Sequence, residues 1–156
     1  MAAELAVGAK APGFTLQRDS GGTVSLRDFN GRKLVIYFYP RADTPGCTRE
    51  TIDFSALKGE FEKARTTVLG VSADPVPAQA AFKKKHDLTI SLLSDETHEM
   101  LERYGAWGKK SMYGKSFMGI LRTTCLIGPD GRIARVWRNV KVNGHAAEVL
   151  EAAKAL

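Results

Sequence analysis

Lys33-Leu34-Val35-Ile36-Tyr37-Phe38-Tyr39-Pro40-Arg41-Ala42-Asp43-Thr44-Pro45-Gly46-Cys47 is the stretch on which the fold of this chain turns. From Leu34 to Tyr39 every side chain is aliphatic or aromatic, with no polar alternation. That is the pattern of a strand covered on both faces. Pro40 has no N–H to give to a sheet and ends the run. Thr44 then stands where a helix N-cap stands and Pro45 suits the first helical position. Ile52, Phe54, Leu57, Phe61 and Ala64 follow at helical spacing, which predicts a helix over 45–64. Cys47 falls in its first turn. The free N–H groups and the positive end of the helix dipole favour a thiolate over a thiol there.

Working outward, residues 14–17 and 23–25 alternate around Asp19-Ser20-Gly21-Gly22, which reads as an N-terminal hairpin. Residues 67–71 read as a second buried strand, 77–86 as a helix, 89–93 as a short strand and 95–104 as a helix. Residues 105–119 contain Gly105, Gly108, Gly114 and Gly119 and read as a long irregular loop. Residues 120–127 and 132–137 flank the turn signal Gly128-Pro129-Asp130-Gly131, and 144–156 closes the chain as a helix. The order predicts an α/β fold, a mixed central sheet with helices on both faces, in one domain over 1–156.

Composition narrows the function. The chain has 156 residues, 44% of them hydrophobic and 26% charged, which excludes disorder, collagen-like repeats and low-complexity arrays. Two cysteines, Cys47 and Cys125, are too few for a disulfide scaffold or a four-thiolate metal site. No metal and no cofactor are expected. The net charge is +6, and the densest basic runs, Lys83-Lys84-Lys85 and Lys109-Lys110, are read as a solvated helix face and a loop. Neither run interleaves aromatics as a nucleic-acid platform does, so no nucleic-acid or membrane partner is expected. The opening residues, Met1 to Val7, carry an early acid and no basic segment, and the expected location is the cytoplasm.

Pro40-x-x-x-Thr44-x-x-Cys47 at the exit of a buried strand, followed by Thr48-x-Glu50, resembles the active-site signature of the peroxiredoxins. The longer string from Tyr37 to Thr48 is similar to the bacterioferritin comigratory protein (peroxiredoxin Q) subfamily. Gly8 to Leu16, Leu69 to Asp74, Leu92 to Asp95, Tyr104 to Trp107 and Arg122-Thr123-Thr124 resemble its other landmarks, so the likeness spans nearly the whole chain. It implies a thioredoxin-like three-layer sandwich and a thiol-dependent peroxidase that acts through a sulfenic acid at Cys47. On the same grounds Arg122 and Thr44 are expected to contact the peroxide and the sulfur, Pro40 to wall the site, and Glu50 to orient Arg122. Trp107 and the stretch 109–118 are expected at the peroxide entrance.

Two departures stand out. Position 52, where many relatives carry a resolving cysteine, is Ile52, and the next helix, Ala78 to Lys84, has none either. Cys125 alternates onto the opposite sheet face from Arg122 and Thr124 and reads as buried filler. The expectation is a one-cysteine cycle in a monomer, completed by thioredoxin, by glutaredoxin with glutathione, or by another external thiol. The alternatives are a two-cysteine cycle with Cys125 as resolver, and a non-catalytic thioredoxin-like binding module or chaperone. A thiol–disulfide oxidoreductase lacks its Cys-x-x-Cys, since Glu50 occupies the second position. A cysteine hydrolase lacks a base motif, because His86, His98 and His145 read as surface or core residues.

Overall fold

A computed structural model describes residues 5–156; residues 1–4, part of the opening read above for targeting, lie outside it. The predicted N-terminal hairpin forms as β1 (Thr15–Arg18) and β2 (Thr23–Ser25), followed by one 3-10 turn, Leu26–Phe29. The buried run forms β3 (Lys33–Phe38). Then come α1 (Pro45–Ala56), α2 (Lys58–Lys63), β4 (Thr66–Ser72), α3 (Val76–Lys85), β5 (Ser91–Ser94) and α4 (Glu99–Arg103). The chain continues through β6 (Trp107–Met112), β7 (Lys115–Ile120), β8 (Thr123–Ile127), β9 (Ile133–Trp137) and α5 (His145–Ala155).

Seven strands make one sheet in the order β2-β1-β5-β4-β3-β8-β9. β3 is parallel to β4, and β4 to β5, while the other neighbours are antiparallel, so the sheet is mixed. Alternation along β3 feeds two cores. Val35 and Tyr37, with Tyr39 just beyond the strand, face Phe54, Phe61, Phe82 and Val149 from α1, α2, α3 and α5. Leu34, Ile36 and Phe38 face Met100 and Leu101 of α4, together with Phe14, Val24 and Tyr104. This is the three-layer, helices-on-both-faces arrangement expected.

Three sequence expectations need correction. The helix predicted over 45–64 breaks at Leu57, whose φ of −97° and ψ of 4° end α1 and open α2; Phe54 and Phe61, seven residues apart, still pack into the same core. Strand 120–127 does not exist as one element, because Ile120 ends β7 and β8 starts only at Thr123.

The irregular loop over 105–119 is instead a two-stranded ribbon, β6 against β7, in register from Trp107↔Ile120 to Met112↔Lys115. Its glycines serve the hairpin. Tyr113 and Gly114 both have positive φ, 53° and 77°, as a two-residue primed turn requires. Gly108 and Gly119 pair across the ribbon, and a Cβ on Gly108 would lie 2.9 Å from Leu121 Cδ1.

Candidate active site

β3 delivers the chain to the edge of the helical layer, and residues 40–44 carry it into α1. Cys47 is buried in the first turn of that helix. Behind the sulfur, α1 is fastened to the sheet: the Tyr37 hydroxyl donates to Thr51 Oγ1 at 3.0 Å, and the Tyr37 and Phe54 rings stack with centroids 4.6 Å apart.

Arg122 lies on the short link between β7 and β8, with its carbonyl accepting from Val140 N at 3.1 Å. Its guanidinium spans two partners. Nη2 donates to Cys47 Sγ at 3.4 Å, and Nη1 donates to Glu50 Oε1 at 2.6 Å. Gly46 makes room for this fork, because a Cβ there would meet Nη2 at 3.2 Å. Glu50, one helical turn after Cys47, is only 1% exposed and its Oε2 has no hydrogen-bond partner. Burial therefore pushes its carboxyl up to about 7, against the pull of the Arg122 charge. For Arg122, burial alone would lower the pKa; its side chain is 18% exposed, and the charges of Glu50 and Cys47 outweigh the burial and raise it.

Thr44 is the N-cap residue by backbone, yet its side chain makes no capping bond. Its hydroxyl donates to the Arg41 carbonyl at 2.8 Å, so the structure gives it neither a cap nor a bond to the sulfur. Pro40 is half-buried between β3 and the loop.

The loop is held by groups that sequence reasoning did not single out. Asp74 Oδ2 accepts from Ala42 N at 2.7 Å and from Ser72 Oγ at 2.6 Å; Gln79 Nε2 in turn donates to Ser72 Oγ, and Tyr39 donates to Gln79 Oε1. Asp43 has a positive φ of 61°, and its carboxylate meets Lys85 Nζ at 2.7 Å and His86 Nε2 at 2.8 Å. These contacts hold its carboxyl below the usual range. Of the other histidines, His98 stacks on Trp107 at 4.0 Å. His145 is buried against Phe54 and Trp137, with Nε2 2.7 Å from Thr124 Oγ1. Burial pulls its imidazole down to about 4.

Cys125 belongs to the core on the other side of the sheet, packed with Ile36 and Phe38. Burial pushes its thiol up to about 12. A cavity of about 490 Å³ lined by Phe14, Leu26, Leu34, Arg103 and Ile127 shares no residue with the Cys47 site. Among the described residues no group of three or more His, Cys, Asp or Glu is placed to hold a metal ion, and no helix is long and apolar enough to cross a membrane.

A cysteine at a helix start, faced by a half-buried arginine paired with a buried glutamate on a thioredoxin-like sheet, is the layout of a thiol peroxidase. The AhpC/TSA family profile matches residues 7–136, and the chain belongs to that family. Within it, the chain is similar to the Bcp and peroxiredoxin Q proteins. It is 48% identical over 144 residues to a putative peroxiredoxin Bcp of Coxiella burnetii, covering 92% of this chain and 95% of that one. Peroxiredoxin Q of Xanthomonas campestris superposes with a TM-score of 0.87 at 44% identity, covering 91% and 90%. A structure of the X. campestris bacterioferritin comigratory protein, described for its alkyl peroxide reduction activity, superposes with a TM-score of 0.89 at 41% identity over 99% and 98%. The chain is a peroxiredoxin, a peroxidase that takes its electrons from thiols.

Proposed function

We propose that Cys47 is the residue this peroxidase oxidises and that an external thiol closes its cycle. The observation that carries the reading is the guanidinium fork of Arg122, with one nitrogen 3.4 Å from Sγ and the other 2.6 Å from Glu50. An always-protonated planar cation at that distance favours negative sulfur and faces the space where a peroxide would approach. The Cys47 thiolate attacks the nearer oxygen of the hydroperoxide and the O–O bond breaks. Sulfur takes the OH and becomes sulfenic acid, and the departing alkoxide or hydroxide takes one proton to become alcohol or water. Arg122 donates to the charge that develops on the oxygens. The Thr44 hydroxyl has its proton committed to Arg41, which leaves its lone pairs to accept from the hydroperoxide O–H. Glu50 acts through Arg122 as a positioning residue, and Pro40 walls the sulfur from water. Hydrogen peroxide and organic hydroperoxides both meet these demands.

The sulfenic acid then condenses with an incoming thiol, releasing water and forming a mixed disulfide that a second thiol reduces. Thioredoxin, or glutaredoxin with glutathione, would supply those thiols to a single-domain monomer in the cytoplasm. Support for the external thiol comes from Ile52 at the position after Cys47 where a partner would stand. It comes also from Cys125, which packs in the opposite core with a strongly raised thiol pKa. Stopped-flow mixing of reduced protein with hydrogen peroxide tests both points. One equivalent should be consumed rapidly with Cys47 as the oxidised residue by mass. Cys47→Ser should lose all turnover, and Cys125→Ser should keep it with an external thiol. Loss of turnover in Cys125→Ser, with its fold and first oxidation intact, overturns the one-cysteine cycle.

A further inference from the structure

Seven large apolar side chains are exposed among the described residues, and four of them, Met112, Tyr113, Phe117 and Met118, lie within seven consecutive positions of the β6–β7 hairpin. Tyr113 at its tip is 96% exposed, Met118 57%, Met112 54% and Phe117 45%. The ribbon is rooted by Trp107 stacked on His98 and by buried Ile120. Its outer half is open on both faces. Register sets Lys109 beside Met118 on one face, and Met112 beside Lys115 and Lys110 beside Phe117 on the other. Met112, Phe117 and Met118 thus each have a lysine stem opposite them; the exposed heads of Lys109 and Lys115 can reach away, while that of Lys110 is held on the Ile120 carbonyl. No Asp or Glu occurs between residues 105 and 129.

A flat protein partner would cover one face of such a ribbon and leave the other wet. A medium that closes around both faces and the tip, apolar within and negatively charged at its rim, matches all of it. We infer that the β6–β7 hairpin is an arm that docks on the surface of an anionic lipid bilayer, Tyr113 end first. Surface docking departs from the sequence expectation of no membrane partner without calling for a membrane-spanning helix. The reason is that 109–118 is a projecting ribbon and not the solvated loop its glycines implied.

Sedimentation of the reduced full-length protein with vesicles of equal parts phosphatidylglycerol and phosphatidylcholine, and with pure phosphatidylcholine, tests the inference. Binding should require phosphatidylglycerol and fall with salt. Lys110 is held by its bond to the Ile120 carbonyl, so the two exposed lysines are the ones to remove. Lys109→Ser with Lys115→Ser should lower the partition coefficient about thirtyfold. Met112→Ser with Phe117→Ser and Met118→Ser should lower it more than tenfold. Tyr113→Trp should show a blue-shifted emission quenched by brominated phospholipid. Circular dichroism checks that each variant is folded. Absence of binding at low salt overturns the inference. So does unchanged binding of the apolar variant, which would mean charge adhesion alone. So does a lipid-free dimer that the apolar variant abolishes, which would make a second copy the occupant.

Discussion

Glu50→Gln removes the one carboxyl that burial drives upward beside the Cys47 sulfur, and its effect on folding should depend on pH in a definite sense. In the folded chain the Glu50 carboxyl is raised from 4.5 to about 7. Between those values the folded chain keeps a proton that the unfolded chain has released. The stabilisation is therefore complete below pH 4.5 and is lost as pH rises through 7, a change of about 3 kcal/mol. His145 works in the opposite sense. Its imidazole is lowered from 6.5 to about 4, so its contribution is complete above pH 6.5 and is lost as pH falls through 4, again by about 3 kcal/mol. From pH 4.5 to 6.5 the two slopes oppose each other, and the native protein should show little net dependence from this pair.

Glu50→Gln should uncover the His145 slope. Its stability relative to the native chain should rise by about 3 kcal/mol between pH 4.5 and 7.5, because the other titrating groups cancel in the difference. His145→Asn should uncover the falling slope instead. Urea unfolding in excess reductant, at half-unit steps from pH 4 to 8, measures both. Parallel stability curves for native and Glu50→Gln protein would refute the reasoning, since they would mean that Glu50 titrates alike in the folded and unfolded chains.

Two further outcomes follow from the geometry. Arg122→Lys keeps a positive charge but cannot bridge Sγ and Glu50 at once, so the second-order rate with hydrogen peroxide should fall by about 10²–10³, read by stopped flow under pseudo-first-order peroxide. Gly70→Ala would put a Cβ 2.6 Å from Tyr37 Oη and 3.0 Å from Leu92 Cδ2 in the sheet centre. It should cost about 2–3 kcal/mol and lower Tm by roughly 5–10 °C in a thermal melt.

Strongly patterned segments were legible from sequence, and context-dependent ones were not. The run from Leu34 to Tyr39 can only be a covered strand, and Pro40 and Thr44-Pro45 punctuate it locally, so β3, the loop and α1 follow from residue chemistry. The Cys47–Arg122–Glu50 cluster was legible for a different reason: its members sit in motifs that resemble a family, and spacing alone would not bring residue 122 to residue 47. The hairpin over 107–120 was missed because its signals conflict. Tyr113-Gly114 is a weaker turn signal than Asn-Gly, and Gly108 and Gly119 look like loop punctuation, although they serve close approach across a ribbon. Thr44 shows the same limit at one side chain, since its hydroxyl turns to Arg41 and not to the helix. Asp43, Asp74 and His86 carried no local signal, because the bonds by which they hold the loop, Asp74 to Ala42 and His86 to Asp43, span 32 and 43 residues.

The long-range partners matter because the site is assembled from α1, the loop that leads directly into it and the distant Arg122, each pinned by its own contacts. α1 is fastened from the sheet by Tyr37 through Thr51 and Phe54. The loop before it is fastened from α3, through Gln79, Ser72 and Asp74 to Ala42 and through Lys85 and His86 to Asp43. Arg122 is fastened from Val140 and Glu50. A donor fork accelerates peroxide cleavage only if it is already aimed when charge develops, and three independent anchors meet that demand better than one flexible loop. The same anchoring sets a cost on any reaction between the two sulfurs. Cys125 pairs with Ile36 in the centre of the sheet and packs into the α4 side, whereas Cys47 packs into the α1 side. Bringing them within bonding distance means parting β3 from β8 in the middle of the molecule, and not fraying one helix end. An external thiol must still uncover the buried Cys47, but it has no strand pair to part, which is the physical case for an external reductant.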